Sequence, residues 1–399
     1  MKRVGVMLLF GLLLYVMSAC IDSTGNNDDE SAVAESGESG ENVVNIGFSG
    51  PLSGSAAYYG ENTLNGLNLA VDEINEEGFE VDGKTYKLNV VALDDAYLPN
   101  ETASNARRMV QENNTPIIFN PHSGGISAMQ VFNEEENFLI GAYSSEPGIT
   151  EAGNSLTVRI PPSYDGYIEP FTTYSMERFG AKLAALPPVT QYGKDWAEAL
   201  LPHWKEEGGD VVFESSIDFS KDTDFFTILT NALEEDPDVL FIGGPSEPTA
   251  KVAQQARDLG FEGGFIVMDQ AKLDEMKALT ESESYEPFEG AIGTMPLVNA
   301  DYPGVPAFVE KYREEYGEDP GSEAGFHYVT TYIFVEAMKA AGTVDDAEKI
   351  RAHIQDGLDN LPEDKKVYVI PSIDENGGFE INVRYGAVEN GEIVPYDGS

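Results

Sequence analysis

A carboxylate and three hydroxyls stand at the ends of apolar runs, a combination able to hold both charges of a zwitterion. Ser123 lies in NPHSGG (120–125), and Ser144 and Ser145 lie in AYSSEP (142–147). Hydroxyls and backbone N–H groups in such turns can converge on an anion such as a carboxylate. Asp269 closes the run GGFIVMD (263–269), where its carboxylate can hold an ammonium group. Each residue also has a plainer role: serine and glycine are common turn formers, and an acid there can cap the next helix. Tyr192 in TQYG (190–193) follows another apolar run and is expected to be exposed at its end. His122 could add a donor beside Ser123, with simple solvation as the alternative.

No catalytic constellation accompanies these groups. The histidines at 122, 203, 327 and 353 lack the i, i+4 spacing of a zinc helix. GFSGPLSG (47–54) is neither GxGxxG nor a P-loop, and Pro51 removes a backbone donor from any phosphate cradle. No GxSxG elbow occurs. Asp94 and Asp95 could hold a metal, but neighbours on a strand point to opposite faces, so a structural role at a strand end is expected. The sequence thus predicts no catalytic residue, no metal and no cofactor.

Parallel strands with helices between them would bring such loops together. VVNIGFSG (43–50) reads as a buried strand, followed by a helix carrying Leu64, Leu67, Val71 and Ile74 on one face. Strand, helix, strand, strand follow at 87–95, 102–113, 115–121 and 138–145. The rhythm repeats with strands at 180–188, 209–218, 237–244 and 263–269 and helices around 193–207, 223–235 and 247–259. GAIGTMPLV (290–298), a Tyr-rich helix from Ser322 to Ala341 and short strands between Lys366 and Val394 complete the chain. This is the pattern of doubly wound α/β units, in which ligands bind outside the carboxyl ends of the strands.

The N-terminus predicts where the protein works. Lys2-Arg3 and the apolar run to Ala19 are of signal-peptide length, short of the roughly 20 apolar residues of a spanning helix. Met17-Ser18-Ala19-Cys20 resembles a bacterial lipobox, with Met17 in place of the usual leucine, and so marks Cys20 for lipidation. As the only cysteine, Cys20 cannot form a disulfide within the chain. Residues 20–42 then form an acidic tether spanning roughly 25 Å. Removal of residues 1–19 takes away two bases and no acid, leaving 22 basic and 70 acidic residues, net −48. Nucleic acid is excluded as a partner on charge. With 41% apolar and 10% aromatic residues, a core can still form beneath an acidic coat.

Over nearly the whole mature chain the motifs resemble the leucine/isoleucine/valine-binding proteins, type I periplasmic binding proteins of ABC importers. The resemblance rests on VNIGFSGPLSG, YG, NG, AVDEIN, LDDA, the paired serines, QYG, QQARDLG and FHYVTTY in order. It implies two Rossmann-like doubly wound lobes joined by a multi-strand hinge. One lobe would hold residues 43–163 with about 293–380, the other about 164–292 with about 381–399. By position, Ser123, Gly124, Tyr143 and Ser145, with Ser144 beside them, would receive a ligand α-carboxylate, and Asp269 the α-ammonium. Tyr59, Tyr192 and Phe326 would form aromatic walls. Pro245 stands where some members have tyrosine, and Tyr143 replaces a small residue, so pocket volume should differ. The resemblance further implies a monomer outside the cytoplasm, moored by lipid at Cys20, that delivers an amino acid to permease subunits. A small amide or aromatic acid is the alternative ligand, and sensing through a partner the alternative role.

Strong self-repulsion is tolerable where salt screens it, which predicts a saline or alkaline habitat. The screening length falls from about 10 Å near 0.1 M salt to about 3 Å near 1 M. Tm should rise over that range, and a Tm that stays level or falls in a melting series would remove the link between charge and a saline habitat.

Overall fold

Short apolar runs become the buried strands of two open sheets. The computed structural model describes residues 42–280 and 282–398. The export segment, Cys20 and all of the tether before Asn42 lie outside the described residues. The first sheet contains β1 (Asn42–Gly50), β2 (Phe79–Val81), β3 (Lys84–Asp94), β4 (Ile117–Asn120), β5 (Leu139–Ala142) and β6 (Thr157–Arg159). Its order is β2-β3-β1-β4-β5-β6, parallel throughout except for β2. The second sheet holds β7 (Lys182–Leu186), β8 (Asp210–Glu214), β9 (Val239–Ile242), β10 (Gly264–Val267) and β11 (Ala291–Thr294). After a separate small pair, β12 (Ser372–Ile373) and β13 (Phe379–Glu380), it gains β14 (Tyr385–Glu389) and β15 (Glu392–Tyr396). The order β15-β14-β11-β10-β9-β7-β8 is parallel up to β11 and antiparallel at the last two strands. All residues of β4, β5, β9 and β10 are buried, which is why these strands read as continuous apolar runs without alternation.

Each sheet has its own core. The main core around the first sheet draws residues from Val44 to Ile160 and again from Leu297 to Phe379. The cores around the second draw on Tyr164 to Ile292 and return at Ala387 and Val388. The chain therefore passes between the sheets after β6, after β11 and before β14. The strands at 115–121 and 138–145 are shorter than the sequence predicts: Thr115 and Pro116 precede β4, and Pro121, Tyr143, Ser144 and Ser145 leave the sheet to line the cleft. Helix Asp165–Arg178 is absent from the sequence reading: Pro170, a helix breaker by type, sits inside it, and its buried face mixes Tyr167, Ile168, Phe171, Thr172 and Tyr174. Helix Val305–Tyr316 also escapes the strand–helix rhythm, although Val305, Phe308, Val309 and Tyr312 have helical spacing.

Two helices clamp the face of the first sheet. Helix Ser322–Ala341 crosses helix Ala57–Glu77 so closely that a Cβ on Gly66 would lie 2.0 Å from the Ala324 carbonyl oxygen. Glycine is the residue that permits that approach. Farther along, Glu73 accepts hydrogen bonds from the Tyr328 and Tyr332 hydroxyls, both at 2.7 Å. Lys311 and Lys365 approach the same carboxylate at 2.7 and 2.6 Å. Burial alone would raise its pKa, but these four donors hold it down to about 2.

A lowered carboxyl pKa stabilises the fold above the unfolded value and loses that stabilisation as pH falls through the folded one. Glu73→Gln should therefore cost on the order of 2–3 kcal/mol at pH 7 in urea titrations. The difference from the native chain should shrink as pH falls from about 4.5 towards 2. An equal cost at pH 7 and pH 2.5 would contradict the assigned role.

Candidate functional site

The carboxyl ends of parallel strands from both sheets meet at one cavity of about 330 Å³. Tyr59 reaches it from the segment after β1, Tyr97 after β3, His122 and Ser123 after β4, and Tyr143, Ser144 and Ser145 after β5. From the second sheet, Tyr192 arrives after β7, and Asp269, Gln270 and Lys272 after β10. Eight of the ten ligand residues expected from sequence thus share one cavity. Gly124 lies in an adjoining hollow shared with Ser123, His122 and Tyr192, and Phe326 lines a second cavity. Pro245 lines neither main cavity.

On the first sheet's side, Asp95 organises the walls. Its Oδ2 lies 3.0 Å from His122 Nε2 and accepts from Thr102 Oγ1 at 2.8 Å and Asn120 Nδ2 at 3.2 Å. His122 Nδ1 accepts the Gly125 N–H at 3.0 Å, so Nε2 carries the proton and donates it towards Asp95. Both ring nitrogens are committed, which removes the free donor weighed for His122. It is buried, and caps helix Ser123–Gln130. The Ser123 hydroxyl at that helix start has no hydrogen-bond partner among the described residues, whereas Ser144 Oγ accepts from Glu146 N. Asp94 and Asp95 also accept from the N–H groups of Ala96 and Tyr97, at 2.8 and 2.9 Å. These bonds hold both residues at positive φ, 49° and 63°. The turn sets Tyr97 against the His122 ring, with centroids 4.7 Å apart. The adjacent acids are thus structural, and Tyr97 is the wall residue that sequence reasoning missed; two acids before a tight turn were its signal.

Opposite stands a carboxylate with its own aromatic support. Tyr192 lies in the first turn of helix Gln191–Glu206 and is buried, where the sequence suggested exposure. Gly193 allows this: a Cβ there would sit 2.2 Å from the Pro188 carbonyl oxygen, and Thr190 caps the turn by accepting the Gly193 N–H. The Tyr192 hydroxyl donates to Asp269 Oδ1. It must then accept from Ser145 Oγ at 2.6 Å and Trp196 Nε1 at 3.0 Å. Burial, then the Asp269 charge, push the Tyr192 hydroxyl pKa well above its ordinary value, so it stays protonated. Asp269 does not cap a helix; the cap position before Leu273–Leu279 belongs to Lys272. Across the cleft, Gln270 Nε2 donates to the Tyr97 hydroxyl at 2.9 Å.

Lys272 was not foreseen either. Its Nζ donates to the Asp269 and Gln270 carbonyls, each at 2.8 Å, and lies 3.6 Å from Glu323 Oε2. Glu323, from helix Ser322–Ala341, accepts from Asn62 Nδ2 at 2.9 Å, and Glu275 accepts from Ser246 Oγ at 2.6 Å. Lys272, Glu275 and Glu323 are all buried. Burial first, then the neighbouring Glu323, drive the Glu275 carboxyl well above the usual range, towards its neutral form.

The second cavity, about 560 Å³, shares Tyr143, Pro161 and Asp269 with the first. Phe326 stacks on Tyr368 there, ring centroids 3.7 Å apart and planes within 5°. Tyr167, Tyr302, Leu297 and Arg384 continue the lining.

A family model described as periplasmic binding protein matches residues 43–370. An amino acid binding protein from Pseudomonas aeruginosa is 26% identical over 350 residues, covering 84% of this chain and 91% of the relative. Among solved structures, a leucine binding protein from Thermotoga maritima is 25% identical with a TM-score of 0.74, covering 88% of this chain and 97% of that one. A solute binding protein from R. palustris, solved with benzoate, shares the fold at 16% identity and a TM-score of 0.72, covering 88% and 95%.

Removing the charge of a buried lysine strands its partners. Lys272→Met should lower unfolding stability by about 3 kcal/mol, and adding Glu323→Gln should recover part of the loss. Equal stability of the single and double variants in urea titrations would show that no coupling exists.

Proposed function

The chain belongs to the periplasmic binding protein family, and from that premise we propose that it binds an amino acid between its lobes and delivers it to an ABC permease. The observation that carries this reading is the opposition of Asp269, beside Lys272 on the second sheet's side, to Ser123, Ser144 and Ser145 across one small cavity. Asp269 takes the α-ammonium at Oδ2, since Tyr192 and Trp196 both hold Oδ1. The hydroxyls of Ser123 and Ser144, whose protons have no acceptor among the described residues, bind the α-carboxylate, while Ser145 stays bonded to Tyr192. Tyr59, Tyr97 and Tyr143 close the site with aromatic surface, and the first turn of helix Ser123–Gln130, including Gly124, adds backbone donors. Hydrogen bonds to charged groups contribute roughly 1.5–3 kcal/mol each, enough to select a zwitterion over an uncharged molecule of the same shape.

Lipidation at Cys20 would moor the clamp outside the cytoplasm, with residues 22–42 as its leash. The aromatic lining also favours a second reading, an aromatic acid without an ammonium group, and the relative solved with benzoate is in keeping with it.

Asp269→Ala separates the two. Calorimetry should show amino-acid affinity falling at least tenfold, since stranding a buried charge costs about 2–5 kcal/mol. Benzoate binding should hold or improve if the aromatic acid is the true ligand. Amino-acid affinity unchanged in the variant would sink the role given to Asp269.

A further inference from the structure

We propose that the second cavity is the side-chain chamber of the ligand site and that Arg384 receives an anionic group at its far end. The preferred ligand is then an α-amino acid whose long or aromatic side chain ends in a carboxylate. This rests on the amino-acid reading above and deepens it.

Size is the first argument. The chamber exceeds the head-group cavity, about 560 against 330 Å³, and the two meet at Tyr143, Pro161 and Asp269. The chamber therefore gives room for a side chain beyond the head group, and lining left without a partner forfeits packing contacts. Shape is the second. The stacked pair Phe326 and Tyr368 forms one wall, and Tyr302 extends it with its ring 5.8 Å from that of Tyr368. Such faces suit a planar or extended group.

Charge is the third and decides the terminus. Arg384 is the only basic residue lining the chamber, and Asp269 the only acidic one. Its guanidinium carbon lies 5.6 Å from the centre of the Tyr302 ring. No ion pair or side-chain hydrogen bond engages it among the described residues, although the chain carries 70 acids against 24 bases. A half-buried arginine left unpaired amid that excess keeps five donors for something else. Its backbone is fixed: the Arg384 carbonyl accepts from Met295 N at 3.1 Å, and Tyr385 pairs with Thr294 in the β11–β14 ladder. The chamber thus offers an ammonium partner where it joins the first cavity and a carboxylate partner on the strand β14 side.

Calorimetry on the purified full chain with L-leucine, L-phenylalanine and 4-carboxy-L-phenylalanine tests this. The carboxylated analogue should bind at least tenfold more tightly than phenylalanine. Arg384→Met should abolish that preference while moving phenylalanine affinity less than threefold, and Arg384→Lys should retain part of it. If leucine and phenylalanine bind and the carboxylated analogue binds no better, the anionic terminus is wrong and the amino-acid reading stands. Equal losses for phenylalanine and its analogue in Arg384→Met would reduce Arg384 to a structural role. No binding of any of the three to the native chain overturns both.

Discussion

The first half of the site depends on one buried carboxylate. Asp95 joins the ends of β1, β3 and β4 through Ser49, its own backbone and Asn120, and reaches the following helices through Thr102 and His122. Burial alone would raise its pKa; the hydrogen bond from His122, with those from Thr102 and the Tyr97 N–H, brings it below the ordinary value. The carboxylate therefore remains an acceptor at neutral pH. From that follow the orientation of His122, the cap of helix Ser123–Gln130, the open Ser123 hydroxyl and the turn that aims Tyr97. Without such a centre the strand ends would be independent loops, each losing conformational entropy separately to form the same surface.

The second half solves a different problem, that of burying charge between two separately cored lobes. Asp269 is supplied with donors by Tyr192 and Trp196, and Lys272 with acceptors by two carbonyls and Glu323. Both are therefore held while the cleft is closed. Because Ser145, Gln270 and Glu323 bond to groups of the opposite lobe, closure and the polarity of the cavity are one arrangement. A ligand that engages Asp269 can do so at Oδ2, because Tyr192 and Trp196 both hold Oδ1 and keep the carboxylate in place.

How much of this was legible depended on whether the cause was local. Buried parallel strands announced themselves as apolar runs, and IIFN, LIGA, VLFI and GFIV all lie in the sheets. The glycines of NG and QYG stood in the motif pattern because Gly66 and Gly193 sit against backbone carbonyls where no side chain fits. Lys272 and the His122–Asp95 bond were not readable, since each depends on a neighbour far along the chain, and for Tyr97 the paired acids signalled a turn but not the cleft it faces. Tyr192 looked exposed because it follows a strand, yet it packs with Tyr164 and Trp196 of its own lobe and meets Ser145 of the other. Helix Asp165–Arg178 was hidden by Pro170 and by the aromatic, half-polar face it buries.

Charge divides the molecule into a surface and an interior with different rules. The chain carries a formal −46, yet each of the two cavities is lined by a single acid, the shared Asp269, and a single base, Lys272 or Arg384. At long range an anionic ligand meets repulsion, which salt confines to about 10 Å or less. Attraction must therefore arise within contact distance, from hydroxyls, helix N–H groups and the cation that lines each cavity. An acid-coated receptor can recognise a carboxylate on those terms, because inside the closed cleft the low dielectric strengthens the few opposite charges that face the ligand.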